Sequence, residues 1–189
     1  MSSHLDYLIL RRWDEDDFLR FLKAAGIKFD AHIQQRIQSD VAARVGNLFV
    51  VRRLDLSARG TSVLAFYSRV KAAPSKLMWS LDLPDWKAKL LTMYLNSTFN
   101  ILQTLLLRSE TRGAFMEISK YILSEFKVPD LEQFSGAKVK RLIATFNLVR
   151  DAKLPSILEQ LKTKHPVRRR IDIVWLDAMD MKEEKKPIE

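Results

Sequence analysis

The sequence contains no cysteine, only three histidines and only five glycines among its 189 residues. Without cysteine it has no disulfide framework, no thiolate nucleophile and no cysteine-ligated zinc, and the three histidines, His4, His32 and His165, lie far apart along the chain. We find no Gly-rich phosphate loop, internal repeat or low-complexity segment. The composition is therefore that of an ordinary globular domain, with disorder expected only at the ends.

Long apolar runs are scarce as well. Residues 1–10 lack the basic and apolar regions of a signal peptide. Residues 90–107 carry no charge, but they include Thr, Asn, Ser and Gln side chains that are costly to bury in hydrocarbon. We therefore expect this stretch to be a buried helix of a core, and we expect a cytoplasmic protein without a membrane span.

Positive charge is what the sequence has in excess. Its 32 Lys and Arg outnumber 23 Asp and Glu, which gives a net charge of +9. Such a balance favours a polyanionic partner, because each phosphate that a protein neutralises releases counterions from nucleic acid. Basicity alone is equally compatible with a protein-protein interaction module whose charge is incidental.

The first part of the chain, residues 1–46, predicts a helical segment. Asp14 is placed to cap a helix with an acidic first turn, and Ile33, Ile37, Val41 and Val45 recur every fourth residue along a second helix that we expect to end at Gly46. The charged end, residues 182–189, predicts a frayed tail.

Residues 47–181 predict the main domain, of α+β class. The expected elements are β-rich runs at 48–51, 61–67 and 76–80 that form a small sheet, a long buried helix from Pro84 to Leu107, a return to the sheet at 113–118, and helices beginning at Ser119, Ser135, Pro155 and Val167. The fold expected is a small sheet around one long buried helix, with several surrounding helices and a helical C-terminal part.

Four short motifs occur in an informative order. They are NLFVVRR at 47–53, LNSTFN at 95–100, RSETRGA at 108–114 and FKVPD at 126–130. Together they resemble the C-terminal target-recognition region of adenine-specific DNA methyltransferases of restriction-modification type. The resemblance implies that double-stranded DNA is the partner and that the chain acts as a DNA-binding specificity module.

Catalytic motifs of that family have no counterpart in this chain. Such enzymes carry a glycine-rich cofactor loop and an Asn/Asp-Pro-Pro-aromatic motif, whereas this sequence has neither a Gly-x-Gly nor a Pro-Pro pair. We therefore predict no catalytic, metal or cofactor residue here. The resemblance implies that S-adenosylmethionine is supplied by a missing domain or by a separate methyltransferase catalytic subunit.

Arginines with a fork of donors are the commonest readers of guanine, and small or hydroxyl-bearing residues help a loop approach phosphates. On this basis we predict a DNA-contacting loop, with further cations beside the first strand and at the start of the last helix. The predicted DNA-binding residues are Arg52, Arg53, Arg59, Arg108, Thr111, Arg112, Gly113, Arg168 and Arg169. The alternative is that these charges are solvated, with Glu110 pairing to an arginine.

Other interpretations stay open at this stage. Asn96, Ser97 and Thr98 favour hydrogen bonding in the core over DNA contact. Pro129-Asp130 and Asp151-x-Lys153 match a nuclease metal motif, which the helix expected between them disfavours. An enzyme with an unrecognised site, an interaction module, or a non-functional remnant of a split methyltransferase are the remaining alternatives.

Overall fold

The structure is a computed structural model that describes residues 8–9, 20, 23–24, 26, 31–107 and 115–181. The elements are β1 (Leu8–Ile9), α1 (Ala31–Ala42), β2 (Gly46–Val51), β3 (Arg53–Leu54), β4 (Ala65–Ala73), β5 (Met78–Leu81), α2 (Asp85–Leu95), α3 (Thr98–Leu107), β6 (Met116–Glu117), α4 (Lys120–Glu125), α5 (Gly136–Val149), α6 (Ile157–Lys162) and α7 (Pro166–Ala178), with a 3-10 turn at Leu131–Gln133. The expected α+β class is confirmed.

The main sheet has the strand order β1-β4-β2-β5. β2 is antiparallel to both neighbours, so that Leu48 lies opposite Tyr67 on β4 and Leu81 on β5, and β1 is parallel to β4. Both faces of β2 are covered, as the burial of five consecutive residues at 46–50 shows. This explains why the run reads as continuous apolar sequence instead of an alternating one.

A second, two-stranded ribbon branches from the end of β2. It pairs β3 with β6, with Arg53 opposite Glu117 and Leu54 opposite Met116. The return of the chain to a sheet near residues 113–118 is thus confirmed for 116–117, although the partner is this ribbon and not the main sheet.

The core consists of two apolar clusters that share α2. Ala88 and Leu95 pack with β2 and with Ile101, whereas Leu90 packs between α5 and α7 against Trp175. Trp175 is fully buried and meets the ring of Tyr94 edge-on at 5.2 Å. The charged residues of α2 lie in its first half, whereas residues 90–95 carry no charge and are buried apart from the half-buried Leu91.

The prediction of a single helix from Pro84 to Leu107 was wrong in one respect, because this stretch forms two helices. α2 ends at Leu95, and α3 begins at Thr98. The break is stabilised from outside: the carboxylate of Asp172 on α7 accepts hydrogen bonds from the backbone N–H of Thr98 (2.8 Å) and from its hydroxyl (2.6 Å). Ser97 adds a local N-cap, since its hydroxyl accepts from the N–H of Asn100 (3.3 Å), whereas the contribution of Asp172 comes from a distant helix and has no local signal.

Helix starts were easier to predict than strand bounds. Ser119, Ser135 and Ser156 each accept a hydrogen bond from a backbone N–H of the following turn, as N-caps do. The strand expected at 61–67 instead occupies Ala65–Ala73, and Gly46 begins β2 although it was expected to end a helix.

In the N-terminal stretch expected to be helical, Leu8–Ile9 forms a strand. Of the helix expected from Asp14 to Gly26, the described residues Arg20, Lys23 and Ala24 are helical and Gly26 lies in a turn. The rest of that helix lies outside the described residues, as does the tail at 182–189. Within the described ranges, no helix combines the length and apolar character that a membrane crossing requires.

Candidate nucleic-acid interface

Arg52 joins the main sheet to the ribbon. Its backbone N–H donates to the carbonyl of Leu77 (2.8 Å), and its own carbonyl accepts from the N–H of Ile118 (2.7 Å). The turn before β5 therefore lies on one side of Arg52 and the end of β6 on the other. We call the exposed part of this region, formed by Arg52, Arg53, Lys76, Leu77 and Phe115, the ribbon surface.

The guanidinium of Arg52 is held in one orientation. Its central carbon lies 4.3 Å from the centroid of the Trp79 ring, and its Nη1 donates to the carbonyl of Lys76 at 3.1 Å. Trp79 is itself fixed by a 2.7 Å hydrogen bond from its Nε1 to the carbonyl of Ile118. Glu117 lies at ion-pair distance, 4.0 Å from Nη2, so the positive charge of Arg52 is partly compensated.

Arg53, next along the chain, is the freer of the two. Its guanidinium lies 5.7 Å from the centroid of the Phe115 ring, and among the described residues no carboxylate pairs with it. Phe115 is 52% exposed and Leu77 is 64% exposed. Exposed guanidinium groups can donate to phosphates and base edges of a duplex, and apolar side chains beside them can contact thymine methyl groups.

Arg59 lies near the ribbon in sequence but belongs to a separate turn after β3. The turn is built by Asp55, whose carboxylate accepts from the hydroxyl (2.6 Å) and N–H (2.8 Å) of Ser57; these bonds lower the pKa of Asp55. Arg59 is exposed and has no hydrogen bond or ion pair with another described residue. It is accessible, but no contact links it to Arg52 or Arg53.

The predicted DNA-contacting loop lies outside the described residues, since Arg108, Thr111, Arg112 and Gly113 all fall between 107 and 115. Its two neighbours are described: Leu107 ends α3, and Phe115 lies against Arg53. The DNA-contacting role of these four residues therefore stays a prediction.

Arg168 has to be removed from the predicted DNA-binding residues. It is 4% exposed, and its guanidinium donates to the side-chain oxygen of Gln160 (2.6 and 3.0 Å) and to the carbonyl of Asn96 (2.7 Å). Its burial lowers its pKa, an effect that the charge of Asp172 opposes. The cationic start of α7 thus has a structural reason, because its first arginine enters the core.

The other two arginines of that run point elsewhere. Arg169 is half-buried and Arg170 is exposed, and neither has an ion pair among the described residues. Arg169 stays available as a phosphate contact, but no hydrogen bond or ring contact connects it with the ribbon surface.

Asn96 and Thr98 have the interior hydrogen bonds expected of them. The side-chain oxygen of Asn96 accepts from the N–H of Leu64 (2.7 Å) and Ala65 (3.2 Å), and its nitrogen donates to the carbonyls of Ala65 (2.8 Å) and Thr92 (3.0 Å). All four hydrogen-bonding positions of this amide are occupied by backbone. The segment thus fastens α2 to β4.

The helix that was expected to separate the two halves of the nuclease-like motif is present as α5, between Asp130 and Asp151. Asp130 caps the 3-10 turn by accepting from the N–H of Glu132 (3.1 Å), and Asp151 pairs with the Nε of Arg150 at 3.1 Å after the end of α5. Among the described residues, no group of three or more His, Asp or Glu is placed to hold a metal ion.

Sequence reasoning missed the aromatic partners. Trp79 on β5 lies opposite Val50 on β2, and Val50 precedes Arg52 by two residues. The pairing of these two strands was therefore the signal that could have placed the Trp79 ring beside Arg52. Phe115 had no comparable signal, because a two-residue strand is too short to leave a periodic pattern.

A scan against protein-family models finds no match to this chain, and searches of curated proteins and of solved structures find none either.

Proposed function

We propose that this chain binds double-stranded DNA through the ribbon surface. The observation that carries the proposal is the pair of adjacent arginines backed by aromatic rings, Arg52 on Trp79 and Arg53 on Phe115. A ring behind a guanidinium limits its rotation while leaving edge N–H groups for a ligand, which reduces the entropy lost on binding. The net charge of +9 adds a favourable long-range term.

A two-stranded β-ribbon is narrow enough to enter the major groove. In this arrangement Arg53 contacts a base edge or a phosphate, and Arg52 and Lys76 contact the phosphate backbone of the DNA. Arg59 extends the contact along the duplex. The interface is completed by residues of the segment that precedes Phe115 in the sequence, namely Arg108, Thr111, Arg112 and Gly113. Arg169 provides a more remote phosphate contact.

The wider role follows from the motifs at 47–53, 95–100, 108–114 and 126–130. We propose that the chain is the specificity module of an adenine-specific DNA methylation or restriction-modification system in the cytoplasm. It selects the site, and a separate methyltransferase catalytic subunit brings S-adenosylmethionine and flips the target adenine.

The test is selection from a randomised duplex pool at two salt concentrations, followed by sequencing of the bound fraction. We expect enrichment of a defined site that persists near physiological salt. Arg53→Gln should weaken binding about tenfold and reduce the salt slope by about one. Lys140→Gln is the matched control, since it removes one exposed charge from α5 and should leave site preference unchanged.

Two outcomes would overturn the proposal. Binding without enrichment that disappears at physiological salt would indicate only nonspecific phosphate attraction and would favour an interaction module or a remnant. Equal losses in Arg53→Gln and Lys140→Gln would show that the ribbon surface is not the interface.

A further inference from the structure

A cleft of about 520 Å³ lies away from the ribbon surface, between β4, the ends of α2 and α5, and the start of α7. Its walls are mostly apolar and include Met93, Phe146, Val149 and Ile171, all of which are buried. A volume of this size matches the sites that proteins use for small organic ligands.

The polar groups of the cleft are almost all satisfied within the protein. All four positions of the Asn96 amide bind backbone, the hydroxyl of Thr92 donates to the carbonyl of Ala88 (2.7 Å), and the hydroxyl of Tyr67 donates to Asp85. Asp151 also lines the cleft; its Oδ2 accepts from the Nε of Arg150 at 3.1 Å, and its other carboxylate oxygen stays available as an acceptor.

Two guanidinium groups are the exception. Arg69 is exposed and has no hydrogen bond or ion pair among the described residues, and Arg150 uses only its Nε, on Asp151 (3.1 Å). They come from different elements, β4 and the end of α5, yet both line the cleft. Both lie close enough to Tyr67 to influence its hydroxyl. Burial and the hydrogen bond to Asp85 raise the pKa of Tyr67, and the positive charges of Arg69 and Arg150 each lower it.

We infer that this cleft binds a small organic anion, with an apolar body between β4 and α5 and a carboxylate or phosphate on Arg69 and Arg150. The unused donors are guanidinium N–H groups of Arg69 and Arg150, two positive charges against the one carboxylate of Asp151, and such donors bind anionic oxygens in preference to neutral acceptors. Burial of a hydrocarbon or aromatic body against the apolar walls removes apolar surface from water and so favours binding. This inference does not depend on DNA binding.

The test is isothermal titration calorimetry with octanoate and 2-naphthoate, each compared with the matching alcohol, 1-octanol or 2-naphthol. We expect saturable binding of at least one carboxylate and about tenfold weaker binding of its alcohol. The double variant Arg69→Gln/Arg150→Gln should remove this preference. Lys140→Gln, an exposed charge on α5 outside the cleft, should keep it.

A second variant tests the apolar part without touching the arginines. Ala152 lines the cleft and is half-buried, so Ala152→Phe should fill it and abolish binding while circular dichroism shows an intact fold. The DNA variant Arg53→Gln should bind the carboxylate normally, which separates this inference from the proposed function. The inference is overturned if neither carboxylate binds, if acid and alcohol bind equally, or if Lys140→Gln weakens binding as much as the double variant.

Discussion

The guanidinium of Arg168 on α7 donates a 2.7 Å hydrogen bond to the backbone carbonyl of Asn96, at the point where α2 gives way to α3. Asp172, one turn further along α7, binds the first N–H of α3 through Thr98 (2.8 Å). One helix thus supplies a donor to the C-terminal end of α2 and an acceptor to the N-terminal end of α3. Both ends of the break are matched in charge to the helix dipoles.

We predict that Arg168→Met destabilises the fold by about 3–5 kcal/mol, because it leaves Gln160, the Asn96 carbonyl and the buried Asp172 without their cationic partner. The measurement is urea unfolding followed by tryptophan fluorescence. Arg170→Met is the control on the same helix; it is exposed and should change stability by no more than about 0.5 kcal/mol. Similar values for the two variants would contradict a structural role for Arg168.

We predict that Asn96→Ala lowers the free energy of unfolding by about 3 kcal/mol. The Asn96 side chain forms hydrogen bonds with three backbone groups, the N–H of Leu64 and the N–H and carbonyl of Ala65, which the variant leaves without this partner. Asn147→Ala on the exposed face of α5 serves as the comparison, since it removes an amide that contacts solvent. The free energies of unfolding of both variants are measured in the same urea titration. If Asn96→Ala cost no more than Asn147→Ala, the link between α2 and β4 would not matter for stability.

Local signals in the sequence were sufficient for the class of fold and for most helix starts. A serine N-cap acts over three residues, and the apolar run at 48–51 lies in a strand whose residues 46–50 are buried, so each can be recognised within a short window. The break before α3 has a local signal that was overlooked, because the hydroxyl of Ser97 accepts from the N–H of Asn100 (3.3 Å) as a serine N-cap does. The hydrogen bonds from Thr98 to Asp172, 74 residues away, could not be predicted from a short window.

The same distinction applies to the candidate sites. The pair Arg52-Arg53 was recognisable from charge and from its position after a strand, whereas Arg168 was assigned to DNA because a run of three arginines gives no sign of which one is buried. Its partner Gln160 belongs to a different helix. The cleft between Arg69 and Arg150 had no sequence signal, because its walls come from four separate elements.

We predict opposite effects for alanine at two glycines. A Cβ on Gly46 would lie 2.5 Å from the carbonyl oxygen of Leu81, just beyond the last residue pair of β2 and β5, so Gly46→Ala should cost about 3 kcal/mol. Gly136 begins α5 and has nothing within 4 Å of the added carbon, so Gly136→Ala should be neutral or stabilise by up to about 1 kcal/mol. Thermal unfolding distinguishes them, and a tolerated Gly46→Ala would disprove the close approach of these strands.

Tyr67 gives the last prediction, on pH. Burial, the hydrogen bond to Asp85 and the negative charge of Asp85 together raise the pKa of Tyr67 from 10.0 to about 12. The folded protein keeps this proton at pH values where the unfolded chain releases it. The stabilisation from Tyr67 is therefore complete below pH 10 and is lost as the pH rises towards about 12.

Absorbance titration of the phenolate band should show a step near pH 12 that is missing in Tyr67→Phe and moves to lower pH in Asp85→Asn. Tyr121→Phe, which removes a ring that is 74% exposed, should leave that step in place. In urea unfolding, the advantage of the native protein over Tyr67→Phe should shrink between pH 10 and about 12. An advantage that stays constant over this range, or a step unaffected by Asp85→Asn, would show that Asp85 does not hold the Tyr67 hydroxyl.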